Sequence, residues 1–302
     1  MRGSRFAQSK IALGSDVKSM KLIFGREVVA VFLITLVFAV PDPAAATERG
    51  GHTNKGVEYA RNKQYDKAIA EFTKGIESQP NDPKNYENRA LVYRLTGKPE
   101  QAIGDLTKVI ELRPKDADAY ASKGQIEVEQ AKFDPAIHDL NRALELDPKN
   151  ANAQRYRAYA FLSKQQWNKA VDDYSKVIER SPDDAGAHER RGYAYRNLGK
   201  YDQAIADLTK VIQARPKDAE AYRERGLTYR LMENYAKAAD DFRKVLQLKP
   251  NDADAKSRLK YAEEKHQWQG ELRQFRREQR REEQRRNREP KTSVTPTPSP
   301  AR

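Results

Sequence analysis

The residues able to do acid–base or metal chemistry are few and scattered. Four histidines occur, His52, His138, His188 and His266, and no two share the short spacing of a metal-binding pair. There is no cysteine. That removes thiol nucleophiles, disulfide staples, thiolate zinc sites and the lipid-modified cysteine of a bacterial lipoprotein. No glycine-rich phosphate loop, nucleophile elbow or H-E-x-x-H helix is present. Carboxylates do recur, at one fixed interval, and helix capping accounts for many of them. The chain therefore reads as a non-enzyme with no catalytic, metal or cofactor-binding residue. Its tyrosines and arginines offer a different chemistry, that of recognition. A guanidinium is a forked donor for carboxylates, and a tyrosine ring is flat apolar area.

The elements that position these side chains come from a repeat. "YRLTGKPEQAIGDLTKVIELRP" (93–114) returns almost unchanged as "YRNLGKYDQAIADLTKVIQARP" (195–216), three periods of 34 residues later. Aligned at that period, one column reads Gly56, Ala90, Gly124, Ala158, Gly192, Gly226, and a second reads Ala68, Ala102, Ala136, Ala170, Ala204, Ala238. A third is large and apolar, Phe72, Leu106, Leu140, Tyr174, Leu208, Phe242, and a fourth is Pro80, Pro114, Pro148, Pro182, Pro216, Pro250. The register runs without a gap from Arg49 to Asp252 as six units, 49–82, 83–116, 117–150, 151–184, 185–218 and 219–252. Small residues belong where two helices cross closely, and the large column fills the space between them. Proline ends the second helix of each unit. Two residues on, Asp82, Asp116, Asn150, Asp184, Asp218 or Asp252 can cap the next one. A turn divides each unit, marked most clearly by Gly97 and Gly199. The second helix starts near Tyr65, Pro99, Phe133, Trp167, Tyr201 or Tyr235. Each unit is thus expected to be helix–turn–helix. Pairs this short shelter their apolar faces only by stacking on neighbours.

These columns resemble the tetratricopeptide repeat family over residues 49–252. The resemblance implies an all-α fold, an α-solenoid (right-handed superhelix) of stacked helix pairs with a C-terminal capping helix. Two features depart from the family. Its early tryptophan is His52, Tyr86, Tyr120, Gln154, His188 or Tyr222 here, and its first-helix tyrosine becomes Glu127 and Phe161 in the third and fourth units. Glu127 is expected to loosen the third interface. The resemblance also implies partner binding on a concave face lined by the first helices. Carried over unit by unit, that face holds Leu91, Arg94, Arg155, Tyr159, Tyr193, Arg196, Arg223, Leu227 and Arg230. The expected occupant is a protein or peptide segment carrying acidic groups, with Glu189 and Glu224 placed to neutralise some of the arginines. Thr53 and Val57 stand where chaperone-binding members carry a Lys/Asn clamp, so that specificity is not expected.

Charge and polarity frame the rest. With 33% charged residues and 38% hydrophobic, the chain suits a thin architecture rather than one deep core. The net charge of +13 is concentrated at the ends, which speaks against nucleic acid as the partner of the repeat body. Residues 1–46 read as a secretory signal, with Met20 a possible true start. A basic flank (Lys21, Arg26) precedes the apolar run Val28–Val40, and Ala44–Ala46 supplies small residues for cleavage. The alternative is an uncleaved membrane anchor. Either reading exports the repeats, periplasmic or secreted if cleaved and membrane-anchored if not. Residues 253–289 are expected to be a capping helix with a charged extension laced by local ion pairs, and 290–302 a disordered Pro/Thr/Ser tail. Trp268 and Phe275 exceed what a cap needs and point to a coiled coil or a partner contact. The function expected is an exported scaffold binding a partner segment on the repeats. The alternative is self-association, or attachment to an anionic membrane, through the basic C-terminal arm.

Overall fold

The computed structural model describes residues 51–288; the expected leader and tail lie outside the described residues. It contains thirteen helices and, among those residues, no strand. Six hairpins come first: α1 (Gly51–Arg61) with α2 (Tyr65–Ser78), α3 (Pro83–Leu95) with α4 (Pro99–Leu112), α5 (Ala117–Glu129) with α6 (Phe133–Leu146), α7 (Ala151–Ser163) with α8 (Trp167–Arg180), α9 (Ala185–Asn197) with α10 (Tyr201–Ala214), and α11 (Ala219–Leu231) with α12 (Tyr235–Leu248). A single long helix, α13 (Ala253–Arg288), follows. The chain forms two compact units, one ending at Pro182 and the other beginning at Asp183. Within each unit, every helix packs on the next, so the hairpins stack as the repeat requires.

The local signals act as their chemistry dictates. The carboxylate or amide of Asp82, Asp116, Asn150, Asp184, Asp218 and Asp252 accepts from backbone amides in the first turn of the following helix. Tyr65, Pro99, Phe133, Trp167, Tyr201 and Tyr235 each open a second helix. Asp66, Asp134 and Asp202 lie just inside, where a negative charge suits the helix dipole. The mid-unit turn has a left-handed residue in every repeat. Gly97 and Gly199 take it at φ of 71° and 73°, while Lys63, Ala131, Gln165 and Glu233 are held there near 57–58°. The large column Phe72, Leu106, Leu140, Tyr174, Leu208, Phe242 is buried throughout. The small column faces it at close range. A Cβ added at Gly124 would lie 2.6 Å from Leu140 Cγ.

The interior also contains charge. The family pattern has leucine just before the small residue of the first helix. Here that place is Lys55, Arg89, Lys123, Arg157, Arg191 and Arg225. Five of these cations reach a buried aspartate sixteen residues on: Arg89 to Asp105 (2.7 Å), Lys123 to Asp139 (2.6 Å), Arg157 to Asp173 (2.7 Å), Arg191 to Asp207 (2.8 Å) and Arg225 to Asp241 (2.8 Å). The four arginines donate through a second nitrogen as well. Arg89, Arg157 and Arg225 also donate a third bond to the preceding repeat, at Thr73 Oγ1, Asn141 Oδ1 and Thr209 Oγ1. So the recurring carboxylates have two jobs. Those after the prolines cap helices, and these five neutralise interior cations. Two of the substitutes for the family tryptophan serve the same rungs: His188 meets Asp207 and Gln154 donates to Asp173, while His52 meets Glu71, which Lys74 also pairs. Tyr86 and Tyr222 instead donate to the carbonyls of Pro80 and Pro216.

Candidate functional site

The residues expected to face a partner all lie on first helices and fall on both compact units. On the first unit, Leu91 is drawn into the packing around Phe72 and Val92, and Tyr159 packs edge-on against Phe133 with ring centroids 6.5 Å apart. These two contribute more to the hairpin core than to a surface. Arg94 reaches Glu129 on the next repeat at 3.6 Å. Arg94, Glu129 and Arg155 surround Tyr156. Burial, with the nearby Glu129 carboxylate, pushes the Tyr156 hydroxyl up to about 12 against the opposing pull of the two arginines. Tyr156 and Glu129 are thus members of this cluster that the sequence reading did not select. Their signal is weak, because neither position keeps its residue type from repeat to repeat.

On the second unit the arginines differ sharply. Arg196 stacks on Tyr193, 5.0 Å from the ring centroid, and is held by Glu224 of the next repeat. Arg223 is clasped by Glu220 and Asp252, with Asp254 3.6 Å away. Leu227 packs against Ala238, Phe242 and Ala262. Glu189, whose carboxyl is raised by burial, turns to Arg215 at 3.3 Å rather than to a groove arginine. Arg230 stands apart. It makes no ion pair among the described residues, it is half-buried, and its Nε is enclosed without a hydrogen-bond partner. Arg196 and Arg230 occupy corresponding places 34 residues apart. The partner of Arg196 is Glu224; the corresponding residue after Arg230 is Arg258, which turns to Asp254 at 2.6 Å.

Among the described residues no cluster of three or more His, Asp or Glu is placed to hold a metal ion. A cleft of about 600 Å³ on the first unit is open and lined by Asn141, Arg157, Lys176 and Arg180 among others. Arg157 and Arg180 there are occupied by hydrogen bonds to their own chain.

Comparison with known proteins agrees with this architecture. Tetratricopeptide repeat models match residues 51–82, 71–104, 122–185, 174–206 and 193–258. No curated protein matches the chain. Among solved structures, the chain is similar to YrrB, described as a tetratricopeptide repeat protein with an unusual peptide-binding site. The two are 26% identical with a TM-score of 0.57, covering 61% of this chain and 95% of that one. It is similar to MamA at 26% identity and a TM-score of 0.53, covering 57% of this chain and 94% of that one. MamA of Desulfovibrio magneticus RS-1, at 21% identity and a TM-score of 0.54, shares the fold over 57% of this chain and 97% of its own. The fold is that of protein-interaction scaffolds, which are generally not enzymes. Six hairpins at a 34-residue period, and the models that match along them, settle the lineage: the chain belongs to the tetratricopeptide repeat family.

Proposed function

We propose that the chain is an exported scaffold that holds an acidic segment of a partner protein on the first helices of its last two repeats. The observation that carries this reading is Arg230, a half-buried guanidinium whose Nε is enclosed without a hydrogen-bond partner and which makes no ion pair among the described residues. A desolvated, unpaired cation gains more from an incoming anion than one already neutralised. Arg196 and Tyr193 lie on the preceding first helix and supply a stacked cation and flat area. The likeness to YrrB, a peptide-binding member of the family, supports a peptide as occupant. Export rests on the basic-flanked apolar run Val28–Val40 and places the partner outside the cytoplasm.

The test is affinity capture from an envelope fraction, with the captured protein identified by mass spectrometry and its binding then measured with purified components. Arg230→Glu should weaken that binding at least tenfold and leave thermal unfolding unchanged. Arg196→Glu should act less cleanly, because it also sets two carboxylates side by side with Glu224. Binding that survives the double change intact removes this surface from consideration.

A further inference from the structure

Five large hydrophobic side chains are exposed among the described residues, and all belong to the second unit: Leu231 (43%), Met232 (39%), Tyr261 (40%), Trp268 (55%) and Phe275 (57%). Three of them lie on α13 at intervals of seven residues, which on an α-helix is nearly a straight line. The buried line of the same helix runs Ala255, Leu259, Ala262 and packs on α12. Followed onward at 3.6 residues per turn, that line becomes Arg273, Arg277 and Arg280, with Arg276 beside it. Among the described residues, 273–285 are all exposed. One broad face of the projecting segment therefore carries an arginine stripe bordered by Trp268, Leu272 and Phe275.

The stripe is not neutralised from within. Among the described side chains, no arginine of 273–285 makes an ion pair. The spacing explains why. Residues four apart include five like-charge combinations, Arg273–Arg277, Arg276–Arg280, Arg277–Arg281, Arg281–Arg285 and Glu278–Glu282, and no opposite-charge one. Like charges at that spacing oppose the helix. The opposite charges three apart, such as Arg280 and Glu283, are left open as well.

We propose that this face of α13 docks an acidic helical segment of a partner protein, its carboxylates on Arg273, Arg276, Arg277 and Arg280 and its apolar side chains on Trp268, Leu272 and Phe275. An antiparallel second copy of the chain fits poorly, because each border of the apolar line would then meet its own sign; a parallel copy is an outcome of the test below. A bilayer surface also fits poorly. It rewards a wide apolar face, and this one offers a single line edged by Glu264, Glu271, Lys265 and Arg276. The apolar line has the arginine stripe along one border and Glu264, Glu271 and Glu278 along the other, so it suits a helix whose carboxylates lie on the border that meets the arginines. The docking face does not depend on Arg230 or on the repeat surface.

The test uses the full chain with Trp167→Phe, which leaves Trp268 as the sole indole. The probes are a synthetic amphipathic helix of about 25 residues with leucine on one face and glutamate on its flanks, the same peptide with glutamine for glutamate, and phosphatidylglycerol vesicles. The acidic peptide should blue-shift Trp268 emission. Its affinity should drop at least tenfold for the glutamine peptide, and as much when Arg273, Arg276, Arg277 and Arg280 are changed together to Gln. Those side chains are exposed, so global unfolding serves as the control that the variant is intact. Equal binding of both peptides, or no shift with either, overturns the proposal. A shift produced by vesicles and not by the acidic peptide assigns the face to a membrane instead. A shift that grows with protein concentration alone, and vanishes with Phe275→Glu, assigns it to a second copy.

Discussion

Repeats 2 and 3 are neighbours in one compact unit and share every position of the 34-residue frame, yet they treat interior charge in opposite ways. In repeat 2, Arg89 forks onto Asp105 through two nitrogens and lies within about 6 Å of the rings of Tyr86 and Tyr93. In repeat 3, Lys123 serves two carboxylates, Asp139 at 2.6 Å and Glu127 at 3.5 Å. The second oxygen of Glu127 is enclosed with no hydrogen bond. Burial lifts the Glu127 carboxyl above its ordinary range, and Asp139 adds to the rise while Lys123 opposes it. The turn follows suit: Gly97 takes the left-handed place in repeat 2, and Ala131 is forced into it in repeat 3. The stack accepts a charge indoors when a planar fork satisfies it and rings cover it; a point charge shared two ways leaves a debt.

The largest effect comes from breaking the better rung. Arg89→Ala leaves Asp105 buried without its cation and should cost about 3–5 kcal/mol in urea unfolding. Replacing both partners, Arg89→Leu with Asp105→Ala, should recover most of that, because no charge is then stranded. If the single change costs no more than the double one, the rung is not what balances the aspartate.

Rebuilding repeat 3 in the image of repeat 2 should give a smaller change of opposite sign. Glu127→Tyr is expected to stabilise by about 1–2 kcal/mol at pH 7, by removing a half-satisfied buried carboxylate. The folded-state pKa of Glu127 lies above its unfolded value, so its ionisation opposes folding at neutral pH. That penalty fades as pH falls through the raised pKa toward the usual carboxylate range. The gap between variant and wild type should therefore narrow between pH 7 and pH 4. A gap that widens on acidification would contradict the assignment. The smallest effects are in the turns. Gly97→Ala should cost about 1 kcal/mol, and Ala131→Gly should return about 0.5 kcal/mol once the added chain freedom is subtracted, both read as shifts in thermal midpoint.

Much of this frame was legible in the letters. The small, large and proline columns fix where helices cross, what fills them and where they stop, since each depends on side-chain size or on a missing amide. The six caps were equally plain. The rungs were harder to see. A carboxylate recurring every 34 residues looks the same whether it accepts from a backbone amide or from a guanidinium. Only the sixteen-residue offset between a basic and an acidic column tells them apart. The candidate surface was legible as to helix and not as to state. Whether Arg94, Arg196 or Arg230 is neutralised depends on Glu129, Glu224 or Arg258 in the repeat that follows, at positions no single-repeat motif describes.

The third bond made by Arg89, Arg157 and Arg225 crosses from one repeat to the one before it. A linear stack would otherwise peel from its ends, hairpin by hairpin, each joint yielding separately. Here, losing the first hairpin strips Arg89 of Thr73 and uncovers a cation that its own aspartate must then hold against water. Within a unit, detachment of one hairpin thus weakens the next, and melting should spread inward as a single cooperative event instead of as a slow fraying.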